Sequence, residues 1–477
     1  MKSLDIATLR SGTRLPQNLY SRQGVLLLRQ GSELSEELVK TLAGAYGGDL
    51  FLARTPIELD GLEARDAGNG TYAPGRAVQR DTLTAGGIVV VEAGEAPDEL
   101  QVDAIRLGGV AATRPASIAD VSRDRRERIR LADAHVAVIK RRWDDLPLRI
   151  ESAPASLDLT NRARVGWPDD HALRRYRASS VDRVRTLYAR VLAGVEIELA
   201  EATELIEDLI ERLVAHPDRF TRIALLESRD LDFLPDHAFT CCCLSICIGA
   251  RLGWSRTDVA LAGLSGLFAD IGMGLVPERI RRSPGLLDEA ERSRVERHSG
   301  AGVILLEVIQ GMPESVRRAV YQHHERLNGS GYPDRLRARH ISDLARAVSV
   351  ADSFGASLAW RNHRAGRLPY HAIEEVVRLG SERVLDRKAT RALVQCTGIF
   401  PVGSWVRLST GLDALVVGND SEALDRPMVR VKMHSEVGPP IDQVVRLSDH
   451  APWELSVIKP IEPPLHARTV PSRRDAA

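Results

Sequence analysis

The sequence predicts a multidomain, mainly α protein: an all-helical core, with a small duplicated α/β module before it and a small β unit after it. Three observations carry that expectation. A glycine-spaced repeat fills the first 115 residues, apolar residues recur at helical spacing from Asp236 to about Val394, and short strand-like runs between turn formers follow residue 400. The expected boundaries are 1–115 for the repeat, 116–224 for a charged helix, linker and long amphipathic helix, 225–397 for the helical core, 398–455 for the β unit and 456–477 for a disordered tail.

In the repeat, Gly12, Gly24 and Gly31 are spaced 12 and 7 apart, and so are Gly75, Gly87 and Gly94, a shift of 63. VLLLRQ and IVVVEA lie between the second and third glycines of each copy and read as short buried strands. SELSEELVKTL and EAPDELQVDAI follow, each a helix with candidate starts at Ser32 or Ser35 and at Pro97 or Asp98. Each copy is thus a hairpin followed by a helix, too small to bury its apolar face alone.

From Ser117 to about Leu146 the text is charged and helix-like, with a basic cluster at Arg123, Arg125, Arg126, Arg128 and Arg130. Asp124 and Glu127 interrupt it, so it reads as a solvated face rather than a nucleic-acid surface. Residues 147–170 are rich in turn formers and read as a linker. Val181, Val184, Leu187, Val191, Val195 and Leu199 then recur at helical spacing, continuing through Ala202, Ile206, Leu209 and Leu213. One long amphipathic helix is expected there, either forming a homodimer or folded back on its own domain. In the core no parallel sheet is expected within 225–395. After residue 400, WVRL, ALVV, VRVKM and VVRL read as strands.

Composition excludes several functions. Lys and Arg number 65 and Asp and Glu 65, so no net field favours nucleic acid or an anionic membrane, and neither partner is expected. Of five cysteines, Cys241, Cys242, Cys243 and Cys247 crowd one segment, which argues for a reducing compartment rather than a disulfide framework. The best apolar run, Thr240 to Gly249, falls short of the roughly 18 residues a membrane span needs. The expected location is cytoplasmic.

The chemistry concentrates around an adjacent pair, His323 and His324, followed by Glu325 and the turn-forming Asn328-Gly-Ser-Gly-Tyr-Pro333. Asp270, His298 and Asp352 belong to the same helical region. Imidazole nitrogens and carboxylate oxygens are the donors that divalent metals take in hydrolases, and one carboxylate can bridge two ions. Cys241, four residues after His237 and on the same helical face, is either a soft ligand or a small buried hydrophobe.

HHERLNGSGYP at 323–333 resembles the HHE…DGxGYP signature of HD-GYP proteins, bacterial metal-dependent phosphohydrolases that cleave cyclic di-GMP. The resemblance runs in order over roughly 225–450. His237 matches the first helical histidine, ADIGMGLVP at 269–277 lies on HDIGKIGIP, His298 matches the HPxxG histidine, and Asp352 the aspartate of the AD motif. The β unit and the N-terminal repeat also resemble modules found beside such domains. This resemblance implies metal ligands at His237, Asp270, His298, His323, His324 and Asp352, with Asp270 as the bridging, catalytic carboxylate. It implies a substrate or partner surface at Asn328, Gly331, Tyr332, Pro333, Arg361 and Arg364. It implies a divalent cofactor (Fe, Mn or similar), cyclic di-GMP as ligand, and a diguanylate-cyclase-domain protein as a partner.

Against the family pattern, Ala269 replaces the histidine of the HD pair, and Met273 the lysine that approaches the phosphate. Asn328 replaces an aspartate, and Phe233 the extra glutamate of trinuclear members. Losing a ligand and a phosphate-facing charge implies one ion or none and weak or absent hydrolysis, hence a nucleotide- or partner-binding effector. An active cyclic di-GMP phosphodiesterase and a metal-free scaffold are the alternatives.

Overall fold

The computed structural model describes residues 132–150 and 170–463, apart from 218, 227–232, 282, 284, 359–367, 421, 434–440 and 453. Outside those stretches it describes 156, 157 and 159, and before 132 the segments 2–4, 10–21, 26–28, 33–34, 50–53, 74–78, 82–84, 89–92, 94–108 and 110–112 with residues 36 and 39. Gly24, Gly31, Gly87, Ser32, Ser35, the basic cluster at 123–130, Arg361, Arg364 and the tail from 464 lie outside the described residues.

The described strands of the two N-terminal copies pair alike. β2 (Asn18–Ser21) and β3 (Leu26–Leu28) form a hairpin, and β4 (Leu50–Ala53) returns antiparallel beside β2, with β1 (Lys2–Leu4) on its far side. In the second copy β5 (Thr82–Thr84) and β6 (Val89–Val91) form the hairpin, α1 (Glu99–Gly108) follows, and β7 (Val110–Ala112) pairs with β5. The returning strand of each copy is absent from the sequence reading, because its short apolar run lacks the glycine frame that marks the hairpin. The 63-residue register appears in the turns: Gly12 N–H donates to Leu34 O at 2.7 Å and Gly75 N–H to Pro97 O at 3.1 Å. Asp98 begins α1 with a reciprocal cap, accepting from Gln101 N–H at 2.7 Å while Gln101 Oε1 accepts from Asp98 N–H at 3.1 Å.

Helical structure resumes over 132–141. The chain beyond it is less of a free linker than its composition suggests. The Arg318 guanidinium donates to Leu146 O and Pro147 O at 3.2 and 3.1 Å, and Asp343 accepts from Arg149 and from Ile150 N–H. The single amphipathic helix expected over 181–213 is two helices, α2 (Asp170–Ala193) and α3 (Leu199–Ala215). Gly194, at φ +75°, ends the first, and Ile197–Glu198 (β8) is extended before the second begins. The apolar periodicity continues across the break because both helices bury their stripes in the same core, the folded-back arrangement.

At the centre lies α5 (Phe233–Arg251), buried on nearly all sides, as an almost wholly apolar helix must be. This helix and the segment Arg256–Leu275 are apolar and long enough to span a bilayer, yet 89% and 67% of those windows are buried inside the protein. Against α5 pack α2, α4 (Thr221–Leu225), α6 (Arg256–Phe268), α11 (Asp343–Leu358) and α13 (Arg387–Thr397); α10 (Glu314–Gln322) packs on α6 and α11, α9 (His298–Leu305) on α10, and α12 (Pro369–Ser381) on α11 and α13, with the short α7 (Glu278–Arg281) and α8 (Glu289–Glu296) leading from α6 to α9. The expectation of no parallel pairing needs one correction: Ile309–Gln310 (β9) pairs in parallel with β8 over two residues. It fastens the loop before α10 to the α2–α3 turn and organises no layer.

The C-terminal unit is a five-stranded antiparallel sheet in the order β13-β12-β11-β10-β14. β10 (Trp405–Leu408), β11 (Asp413–Gly418), β12 (Met428–Met433) and β13 (Ile441–Arg446) cover the four strand-like runs. β14 (Val457–Ile461) corrects the expected tail from 456: its Lys-Pro content hides it in sequence, but it is an edge strand beside β10, where proline is tolerated.

Candidate metal centre

Four helix ends and one helix middle converge. His237 comes from the second turn of α5, Asp270 from the residue before the 3-10 turn Ile271–Leu275, His298 from the start of α9, His323 and His324 from the end of α10, and Asp352 from within α11. Gly272 permits the closest of these approaches, since a Cβ there would lie 2.0 Å from His298 O. That contact sets the turn after Asp270 directly on the first residue of α9.

His298 Nε2 lies 3.3 Å from His323 Nε2, and Asp270 Oδ1 lies 3.3 and 3.5 Å from those two nitrogens. The other nitrogen of each ring is engaged: Nδ1–H of His298 donates to Val295 O at 2.5 Å, and Nδ1–H of His323 to Val320 O at 2.6 Å. A carbonyl only accepts, so both rings turn their Nε2 atoms towards one point. Where those atoms are unprotonated, two lone pairs and a carboxylate oxygen facing each other repel unless positive charge lies between them. This is the arrangement of imidazole ligands oriented by backbone carbonyls. His324 joins the group, its ring 4.0 Å from that of His323 and 4.9 Å from that of His298. Ligand atoms of Asp270, His298, His323 and His324 all lie within 4.8 Å of one another.

On the other side of Asp270, His237 Nε2 is 3.4 Å from Asp270 Oδ2, 3.0 Å from Asp352 Oδ1 and 3.4 Å from Cys241 Sγ. Its ring stacks on Phe233 at 5.0 Å. Asp352 Oδ2 reaches towards His324 Nδ1 at 3.7 Å. Ala269, 2% exposed, ends α6 beside Asp270 and offers only a methyl group. Asp236, the neighbour of His237, is occupied elsewhere: it accepts from the Arg177 guanidinium at 2.7 Å, which ties α2 to α5.

The electrostatics show a deficit of positive charge. Burial raises the Asp270 carboxyl, but His298 and His323 outweigh it and hold the group well below the usual carboxylate range. Burial lowers His298 and His237, yet their acidic and thiol neighbours raise both, His237 well above an ordinary imidazole. Burial, with His323 and His298 beside it, pushes His324 well down, which keeps that ring neutral and able to donate a lone pair. Where no cation is bound, protons supply the missing charge; a divalent ion would displace them. The donor set therefore fits a metal centre.

The loop after His324 forms the rim. Glu325, 2% exposed, accepts from Asp334 N–H and Leu336 N–H, both at 2.7 Å, and so closes residues 325–336 into a tight unit. Gly331 is packed against the chain, since a Cβ would lie 2.3 Å from His324 O. The Tyr332 ring covers His324 at 4.6 Å, Pro333 is exposed beyond it, and exposed Asn328 accepts from Ser330 N–H at 3.0 Å. Met273 is partly buried on the 3-10 turn, its N–H donating to Asp270 O at 2.8 Å. Sequence reasoning missed Glu325 as the anchor of this loop, since an acidic residue in a turn carries no sign of burial. It also missed Gln101 of α1, whose side chain donates to Gly274 O at 3.0 Å and so holds the turn after Asp270 from the N-terminal module.

A helical core with histidines and aspartates gathered from separate helices defines the HD class of metal-dependent domains, and the family described as an HD domain matches residues 204–388. Among curated proteins, a cyclic di-GMP phosphodiesterase of Pseudomonas aeruginosa is 31% identical over 263 residues, which is 55% of this chain and 63% of that protein. The cyclic di-GMP phosphodiesterase response regulator of Xanthomonas campestris is 35% identical over 24% of this chain and 31% of its own. A 3'3'-cGAMP-specific phosphodiesterase of Vibrio cholerae is 36% identical over 24% of this chain and 26% of its own. With the motif order above, these matches make the chain similar to members of the HD-GYP family. The chain spans less than two thirds of the length of each of these relatives.

Proposed function

We propose that this protein binds a cyclic dinucleotide, cyclic di-GMP first, at a metal centre and hydrolyses it slowly or not at all, serving as an effector. The observation that supports this reading is the paired Nε2 atoms of His298 and His323 facing Asp270, a donor set that a divalent ion would complete. Asp270, His298, His323 and His324 would hold one ion; His237, Asp270 and Asp352 would share a second. An ion pair in such a site supplies an activated water and neutralises charge on the phosphoryl oxygens.

The chain's own residues account for the slow chemistry. Met273 brings a thioether where a cation would meet a phosphate oxygen; losing such a donor typically costs about 10²–10³ in rate. Ala269 subtracts a donor from the second ion. The Tyr332 ring and the loop held by Glu325 shield His324 from solvent on the rim side, while Asn328, Gly331 and Pro333 offer a surface for the nucleotide or for a diguanylate-cyclase domain. The relatives act, by name, on cyclic di-GMP or 3'3'-cGAMP, so the class of ligand is a purine cyclic dinucleotide.

Calorimetric titration with both dinucleotides, before and after chelation, combined with a turnover assay, tests this. We expect binding that requires metal, and turnover at least about a hundredfold below a family member with the intact motif. Fast turnover would promote the phosphodiesterase reading, and absence of binding with and without metal would promote a scaffold.

A further inference from the structure

We propose that Cys241 is a metal ligand: its thiolate takes the place vacated by Ala269 and completes the second cation position with His237, Asp352 and Asp270. The inference rests on the metal-centre reading above and deepens it.

Five cysteines are buried, but not alike. Cys242, Cys243, Cys247 and Cys396 belong to the continuous apolar core, whereas Cys241, 1% exposed, stands outside that cluster and faces His237. Position accounts for this. Four residues separate Cys241 from His237, so the two lie one above the other on α5. The Cys241 carbonyl also meets α6 closely, 2.6 Å from where a Cβ at Gly266 would be, one turn before Ala269. The thiol therefore reaches the centre from the adjoining helix, near the end of α6 that holds the alanine.

Two of the three spacings at His237 Nε2 match those of a ligand shell. With metal–nitrogen bonds of about 2.0–2.1 Å and metal–sulfur bonds of about 2.3 Å, tetrahedral geometry puts nitrogen and sulfur about 3.5 Å apart, and nitrogen and oxygen about 3.4 Å apart. Here His237 Nε2 is 3.4 Å from Cys241 Sγ, 3.4 Å from Asp270 Oδ2 and 3.0 Å from Asp352 Oδ1. Ligand atoms of His237, Cys241 and Asp352 lie within 4.8 Å of one another. Two carboxylate oxygens and one thiol sulfur thus surround one ring nitrogen, which can donate a single proton. That nitrogen satisfies at most one of them well; a cation among the four satisfies all.

The chemical consequence is selectivity. On binding, the Cys241 S–H bond breaks, its proton passes to solvent, and sulfur donates a pair to the ion with no change of oxidation state. A thiolate favours Zn²⁺, Fe²⁺ or Co²⁺ over Mn²⁺ and Mg²⁺, which prefer oxygen. It also donates more charge than the imidazole it replaces, which would make the ion a weaker acid.

Cobalt loading of the full chain tests the assignment without relying on turnover. We expect a sulfur-to-cobalt charge-transfer band in the near ultraviolet and two Co²⁺ per chain. Cys241→Ser should remove the band and weaken one ion by more than the roughly 10–100-fold typical of losing an outer hydrogen-bond partner. Cys242→Ser serves as the control and should keep the band. Ala269→His added to Cys241→Ser should return the second ion without the band, a rescue that a merely misfolded variant cannot give. Two ions bound with no band, or a band that persists in Cys241→Ser, would overturn the assignment while leaving the metal centre intact. No cobalt bound by any variant would overturn the metal-centre reading itself.

Discussion

The two halves of the centre share Asp270 but are built differently. In the half made by His298, His323 and His324, two imidazoles are oriented through their Nδ1–H groups by backbone carbonyls three residues earlier, and a third is kept neutral by burial. In the half made by His237 and Asp352, the expected second imidazole is a methyl group, and a thiol stands nearby. The contrast teaches that one carboxylate can face two differently built donor sets. Asp270 is held by the turn that Gly272 seats on α9, not by its neighbour Ala269.

Breaking the shared element should have the largest effect. Asp270→Asn removes the charge both halves use, and we expect loss of all metal that survives dialysis, read as metal content per chain. Restoring the altered half comes next. Ala269→His with Met273→Lys should raise cyclic di-GMP turnover by about 10²–10³, with either change alone far less effective because ligand and counter-charge act together. A pair of single changes separates the halves: His323→Ala should abolish the ion of the first half, whereas His237→Ala should leave it bound. The smallest effect concerns the rim. Glu325→Gln can accept from only one of the two N–H groups that Glu325 serves, so unfolding free energy should fall by about 1.5–3 kcal/mol in a denaturant titration.

The helical core and the cluster of candidate donor residues were legible because both are written locally: a 3.6-residue apolar period, and side chains whose chemistry is unusual in a core. What it did not carry depends on geometry. The break at Gly194 is invisible to periodicity because α2 and α3 bury the same stripe, and a single glycine in an apolar run is weak evidence for a turn. β4 and β7 escape because a returning strand is defined by its partner, and β14 because Lys459 and Pro460 look like tail. The position of Cys241 was readable only as a helical face. Its separation from the four core cysteines requires the packing of α6 and α11 around α5.

The most direct test of the account is metal content after saturation and dialysis, compared between Mn²⁺ and Zn²⁺. Imidazoles and a carboxylate hold either ion, but a thiolate discriminates between them. About one Mn²⁺ and about two Zn²⁺ per chain are expected, with the difference abolished in Cys241→Ser. Two tightly held Mn²⁺ ions, or no retained Zn²⁺, would contradict this expectation.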